Sequence, residues 1–201
     1  MAYWKRTHTT LAAFLTAALT ATLFTAPTHA KELAIWDQLQ GTNPKGYVLL
    51  MRHALAPGVG DPENFNVNDC STQRNLNEEG RQDARDIGQW LQRREVKILR
   101  VESSRWCRAK ETAQLLNIGK VRPNRNLDSL FEESDLLNHP QTANIKKRIQ
   151  SHRNTRGLLV FVGHFVNFQA VAQVSLDSGE GVLIKATPSG EFKVMGYSPK
   201  P

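Results

Sequence analysis

Arg52, His53, Arg108 and His164 are the residues of this 201-residue chain whose types and settings suit the capture and transfer of a phosphoryl group. A guanidinium presents a planar fork of N–H donors that matches two phosphate oxygens, so a pair of arginines can neutralise a dianion and fix its orientation. A neutral imidazole is a competent nucleophile near neutral pH. Two arginines and two histidines brought to one point would hold a phosphate and present a nitrogen to its phosphorus.

The sequence around these residues says how they could meet. Tyr47 to Met51 is an apolar run that stops abruptly at Arg52 and His53, and Gly157 to Val162 is a second, stopping at Gly163 and His164. Runs of this length and composition predict fully buried strands. Ile98 to Glu102 predicts a third, ending in Ser103 and Ser104. Gly181 to Ala186 and Phe192 to Tyr197 predict an antiparallel hairpin about the turn residues Pro188, Ser189 and Gly190.

Helical patterns alternate with these strands. Behind Asn77, a candidate cap followed by Glu78 and Glu79, the residues Ala84, Ile87, Gly88 and Leu91 recur at helical spacing. Ala109, Thr112, Ala113 and Leu116 repeat the pattern after Ser104, as do Ala170, Val171 and Val174 after His164, and Ile145 with Ile149 marks a shorter helix. The expected fold is α/β: a three-layer α/β/α sandwich with a mainly parallel central sheet and a C-terminal antiparallel hairpin. Ligands of such sheets bind beyond the carboxyl ends of the strands. Arg52, His53, the Ser103 to Arg108 stretch and His164 all fall there, and helices opening after Ser104 and His164 would add amide N–H groups. Two long polar segments, Ala54 to Arg74 and Val121 to Pro140, read as loops of functional length.

Residues 1–30 read apart from the rest. Lys5 and Arg6 precede an uncharged run from Leu11 to Phe24, and Ala30 offers a small residue for cleavage. This is a signal-peptide layout, with an apolar run shorter than the roughly 20 residues of a membrane span. Residues 31–201 are then expected to form one exported, periplasmic domain with no stable membrane anchor. The charge is +7, from 26 basic and 19 acidic residues, and two of the basic ones belong to the leader. The remaining Lys and Arg are scattered rather than gathered in a stripe, which argues against nucleic acid as a partner. Cys70 and Cys107 form an even pair in a chain with an export signal, and this predicts a disulfide. His139 and His152 lack metal-ligand spacing with any Cys or Asp, so no metal site is read.

The motifs, taken together, resemble a known family. Leu50-Met51-Arg52-His53-Ala54 is similar to the Arg-His-Gly signature of the histidine phosphatase superfamily, which includes the phosphoglycerate mutases. Ser103-Ser104-Arg105-Trp106-Cys107-Arg108-Ala109-Lys110-Glu111-Thr112-Ala113 resembles its Ser-Ser-x-x-x-Arg-Ala-x-x-Thr-Ala segment. Val162-Gly163-His164 resembles the late strand that delivers its second histidine, and Asn75 to Gly80 the opening of its first helix. The four segments stand in the family's order.

That resemblance implies a phosphoglycerate mutase-like fold and a phosphatase that works without metal or organic cofactor on a small phosphorylated substrate. His53 would be the nucleophile, with Arg52, Arg108 and His164 as phosphate ligands. The family places its general acid in a Leu-x-Glu setting, which Leu130-Phe131-Glu132 matches; Glu132 is the expected acid, with Glu133 and then Asp135 behind it. Arg74 reads either as a substrate contact from the first loop or as a solvated surface residue. Asn167 reads as a cap of the last helix or as a phosphate contact. Ala54 departs from the signature's glycine and puts the approach of backbone to phosphate in question. A phosphomutase and a catalytically weak phosphate-binding protein of the cell envelope are the alternatives.

Overall fold

The computed structural model describes residues 35–198, and the leader read at residues 1–30 lies outside them. Six strands form one sheet: β1 (Tyr47–Arg52), β2 (Ile98–Ser103), β3 (Val121–Pro123), β4 (Leu158–Gly163), β5 (Gly181–Ala186) and β6 (Phe192–Tyr197), in the order β3-β2-β4-β1-β5-β6. The first four run parallel, and β5 and β6 form an antiparallel hairpin against β1. Four helices pack on the sheet: α1 (Glu78–Arg93), α2 (Cys107–Leu115), α3 (Pro140–His152) and α4 (Phe165–Ala172).

Alternation along the strands splits the core in two. Leu49 and Met51 of β1 join Val160 and Val162 of β4 on one face, beneath Ile87 and Leu91 of α1 and Ala109 and Ala113 of α2. Val48 and Leu50 join Leu159 and Phe161 on the other, beneath Ile145 and Ile149 of α3 and Phe168 and Val171 of α4. With both faces covered, β1 and β4 read as unbroken apolar runs. Each continues one residue beyond its run, through Arg52 and Gly163.

Close approach fixes the first helix. A Cβ on Gly88 would stand 2.1 Å from the carbonyl oxygen of Leu116, and one on Gly80 would stand 2.2 Å from that of Leu55. Only glycine lets α1 sit this near the chain that leaves β1, at Gly80, and the end of α2, at Gly88. Asn77 caps the helix as expected, its side-chain oxygen accepting the Gly80 N–H at 2.8 Å.

Two elements went unread in the sequence. Val121 to Pro123 opens the segment expected to be a loop, yet it pairs with β2 as the edge strand β3. Three residues containing a proline carry no alternation, and proline is tolerated because the strand is at the edge. A helical segment at residues 35–39 also docks on the sheet, burying Trp36 and Leu39.

Cys70 and Cys107 are bonded, with Cα atoms 5.7 Å apart. The bridge joins a 3-10 turn (Cys70–Thr72) in the first long loop to the first residue of α2. Closing a loop between residues 37 apart stabilises the fold by roughly 4 kcal/mol on chain-entropy grounds. Replacing both cysteines with serine should therefore lower the thermal midpoint by about 10 °C in a calorimetric scan. An unchanged midpoint would show that the bridge constrains little.

Candidate active site

Strand register brings the site together. Arg52 pairs with Gly163 and Ser103 with Val162, so β1, β4 and β2 end side by side. Beyond those ends, the His53 N–H donates to the Gly163 carbonyl and the Ser104 N–H to that of Val162, both at 2.9 Å. The rings of His53 and His164 consequently meet edge to face with centroids 5.4 Å apart. A cavity of about 730 Å³ opens over them, lined by Arg52, Arg74 and Arg108 as well as both histidines.

The tautomer of His53 follows from its partners. Its Nδ1 lies 2.8 Å from the carbonyl oxygen of Ala54, which can only accept, so Nδ1 carries the proton. Its Nε2 lies 3.2 Å from Nε of Arg108, which can only donate, so Nε2 presents a lone pair. Burial, then the nearby arginines, outweigh the Ala54 bond and lower the His53 pKa to about 3. The imidazole is thus neutral across the physiological range.

Ala54 does not crowd this arrangement. Its side chain is buried with Ala56, Leu76 and Ala84 in a small apolar cluster of its own. The backbone does the work: the carbonyl orients His53, and the N–H donates to Oγ1 of Thr112 at 3.0 Å. That hydroxyl in turn donates to the carbonyl of Arg108 at 2.7 Å, tying the loop after β1 to α2.

Arg108 is held by a residue that the sequence did not single out. Asp61 accepts from Nη1 and Nη2 of Arg108 at 2.7 and 3.0 Å, from Nε1 of Trp106 at 3.0 Å and from the backbone N–H of Arg74 at 3.2 Å. Burial pushes the Asp61 carboxyl up, but the hydrogen bonds and charge of Arg108 outweigh it and hold the pKa below the ordinary carboxylate value. With its outer fork occupied, Arg108 turns Nε to His53. Asp61 sits alone in an aperiodic polar loop, and nothing in such a loop announces a partner 47 positions away.

Arg74 lines the cavity rather than the solvated surface. Its Nε donates to the carbonyl of Gly60 at 2.8 Å and its Nη1 to that of Ala56, bracing the loop that carries Asp61. Arg52 donates from Nη1 to the carbonyl of Leu176 at 3.0 Å and lies over the ring of Phe165. No acceptor among the described residues meets its buried Nε.

His164 is buried, and desolvation first, then His53 and the arginines, holds its pKa well below the usual value. Its Nε2 lies 3.0 Å from the hydroxyl of Ser104, whose other acceptor, Asp128, is farther at 3.4 Å. A serine proton given to His164 places the ring proton on Nδ1, and one given to Asp128 places it on Nε2, so the tautomer of His164 turns on which acceptor Ser104 serves.

Asn167 neither caps α4 nor lines the cavity. It is fully buried, donating to the carbonyl of Asp128 at 2.8 Å and accepting from the Leu130 N–H at 3.3 Å. Both ends of the amide pin the second long loop to α4. That pinning carries Glu132 and Glu133 to the mouth of the cavity, where both are exposed. Asp135 is used locally, accepting from the backbone and side chain of Asn138.

Two measurements follow from this geometry. Asp61→Asn keeps the shape of the fork's partner but removes its charge, and should change the dissociation constant of inorganic phosphate by no more than a few-fold while lowering kcat about tenfold or more; unchanged kcat would show that Asp61 does not orient Arg108. Both buried histidines stay neutral in the native state but take up protons on unfolding below about 6.5, so stability must fall as pH drops from 6.5 toward 3, by up to about 1.4 kcal/mol per pH unit per histidine. Urea midpoints between pH 7 and 4 test this, and His53→Gln should flatten the slope.

A family model described as the histidine phosphatase superfamily, branch 1, matches residues 48–157, a span holding His53 and Arg108. No curated protein matches the chain. Solved structures with a similar fold include the protein histidine phosphatase SixA complexed with tungstate, at 17% identity and a TM-score of 0.59, covering 76% of this chain and 96% of that one. Phosphoserine phosphatase of Entamoeba histolytica in complex with 3-phosphoglyceric acid is 13% identical with a TM-score of 0.55, over 77% of this chain and 97% of that one. Mycobacterial glucosyl-3-phosphoglycerate phosphatase is 14% identical with a TM-score of 0.51, over 77% and 99%. The structural likenesses establish the shared fold, and the family match spans more than half of the sequence: the chain belongs to the histidine phosphatase superfamily, branch 1.

Proposed function

We propose that this protein is an exported phosphomonoesterase that carries the phosphoryl group of its substrate on Nε2 of His53 before passing it to water. The observation that carries this reading is a buried, neutral His53 whose Nδ1–H is spent on the Ala54 carbonyl, so that the lone pair lies on Nε2, held by the Nε–H of Arg108 beside a cavity lined by three arginines. Arg52 and Arg108, with the Nδ1–H of His164, hold the phosphoryl oxygens: the Nε–H of Arg108 passes from His53 Nε2 to a phosphoryl oxygen and frees the lone pair, and the unmet Nε–H of Arg52 is a donor with a reason to be there.

Attack by Nε2 forms the N–P bond as the ester P–O bond breaks, and the departing oxygen takes a proton. Glu132 or Glu133, both at the cavity mouth, supplies it and later accepts one from the water that cleaves the phosphohistidine. Charge develops on oxygens already facing fixed cations, which is where electrostatic stabilisation is largest. The leader layout and a Cys70–Cys107 bond favour an oxidising compartment outside the cytoplasm.

A second reading, a phosphate-binding protein of the envelope with weak turnover, is favoured by one feature. Both mouth carboxylates are exposed, while Asp61, the carboxylate closest to the arginines, is locked in its pairing. Incubation with an aryl phosphate and a chelator separates the two. The enzyme should release phosphate, and His53→Ala should lose at least about 10³-fold in rate while keeping its far-ultraviolet circular dichroism. Turnover retained in that variant would sink the mechanism; tight phosphate binding by the unaltered chain without turnover would favour the second reading.

A further inference from the structure

The cavity is larger than a phosphate needs, and its outer part has a chemistry of its own. Two pairs of aromatic rings line it. Phe65 stacks on Trp106 at 4.9 Å, and Phe131 meets Phe165 at 6.5 Å. Each pair is anchored beside a phosphate ligand: Trp106 stands two residues before Arg108 and touches the His164 ring at 5.8 Å, while Phe165 follows His164 and lies under Arg52. The rings therefore begin where the phosphate site ends.

Exposure here is costly. Phe131 is 47% exposed and Val59 is 85% exposed, two of the few large apolar side chains left open to water, and both line this cavity. Apolar surface left open at the mouth of a polar site is what a ligand body covers. None of the four rings is fully buried, so each has surface to give.

Charge sets how many phosphates fit. Among the residues lining the base, three guanidiniums are offset by the Asp61 carboxylate, leaving two positive charges, with Asp177 near Arg52 lowering that balance further, so the base suits one phosphate dianion at most. At the rim the sign reverses, with Glu63, Glu132 and Glu133 all exposed. A second phosphate on the substrate would meet carboxylates, with no further cation among the described residues that line the cavity to hold it.

We propose, building on the phosphomonoesterase reading, that the substrate is a monophosphate whose phosphate is borne by a flat or aromatic body that packs against Phe65, Trp106, Phe131 and Phe165, and that polyphosphorylated compounds are rejected by the acidic rim. Aliphatic monophosphates bind through the phosphate alone.

Phosphonates, which cannot be hydrolysed, test this by isothermal titration calorimetry independently of turnover. Benzylphosphonate should bind about tenfold more tightly than methylphosphonate, the gain expected for burying one ring against aromatic walls. Phe131→Ala should reduce that ratio to within about threefold and leave methylphosphonate affinity unchanged; Phe65→Leu, on the other pair, provides the same readout. Inositol hexakisphosphate should bind no more tightly than methylphosphonate. Equal affinity for the two phosphonates, or a preference for the hexakisphosphate, would overturn the proposal while leaving the phosphatase reading standing. Failure of both phosphonates to bind would overturn both.

Discussion

The guanidinium of Arg108 faces two acceptors at once, Nε2 of His53 and the carboxylate of Asp61, and the site depends on that division. Arg108 is almost wholly buried, so each of its N–H groups needs a partner, and a free fork would turn to whichever acceptor it could reach. Asp61 occupies the outer edge and leaves Nε for the histidine. Two distant constraints keep Asp61 in place: the Cys70–Cys107 bond, which fastens its loop beside Arg108, and Arg74, whose guanidinium braces the same loop by its carbonyls. The geometry around Arg108 is a loop property held by covalent and ionic ties, whereas His53, the proposed nucleophile, is fixed by strand ends.

Burial makes the histidines useful and also expensive. An imidazole in water is a poor phosphoryl acceptor whenever it is protonated; surrounded by protein and three arginines, His53 stays neutral down to about pH 3, and its Nε2 keeps a lone pair that only the Arg108 Nε–H engages. The cost is a native state that weakens in acid. The same arginines that help suppress the proton would attract a phosphate dianion, so one set of charges would prepare both partners of the proposed reaction.

Much of this was legible in the sequence because buried parallel strands leave an unambiguous record. Tyr47 to Met51 and Gly157 to Val162 are apolar on both faces, so their ends could be located to within a residue, and with them Arg52, His53 and His164. The helix face of Ala84, Ile87, Gly88 and Leu91 was equally plain, as was the cap at Asn77. What escaped lies where period carries no information. Asp61, Ser104 and Asp128 act through side-chain hydrogen bonds made by loops and turns, and β3 is three residues at an edge. Arg74 and Asn167 were seen, but their partners were not: one braces the loop of Asp61, the other pins the loop of Glu132. The Ala54 departure was a question about backbone, and only the placement of its methyl group in a separate apolar cluster answers it.

The proposed phosphoryl acceptor is the lone pair of His53 Nε2, because Nδ1 is committed to Ala54. Rapid quenching of the enzyme with a phosphorylated substrate, in alkali that preserves phosphohistidine, followed by phosphorus NMR and peptide mapping, distinguishes the two ring nitrogens. Phosphate on Nε2 of His53 is the predicted result. Phosphate on Nδ1, or on His164, would contradict the account.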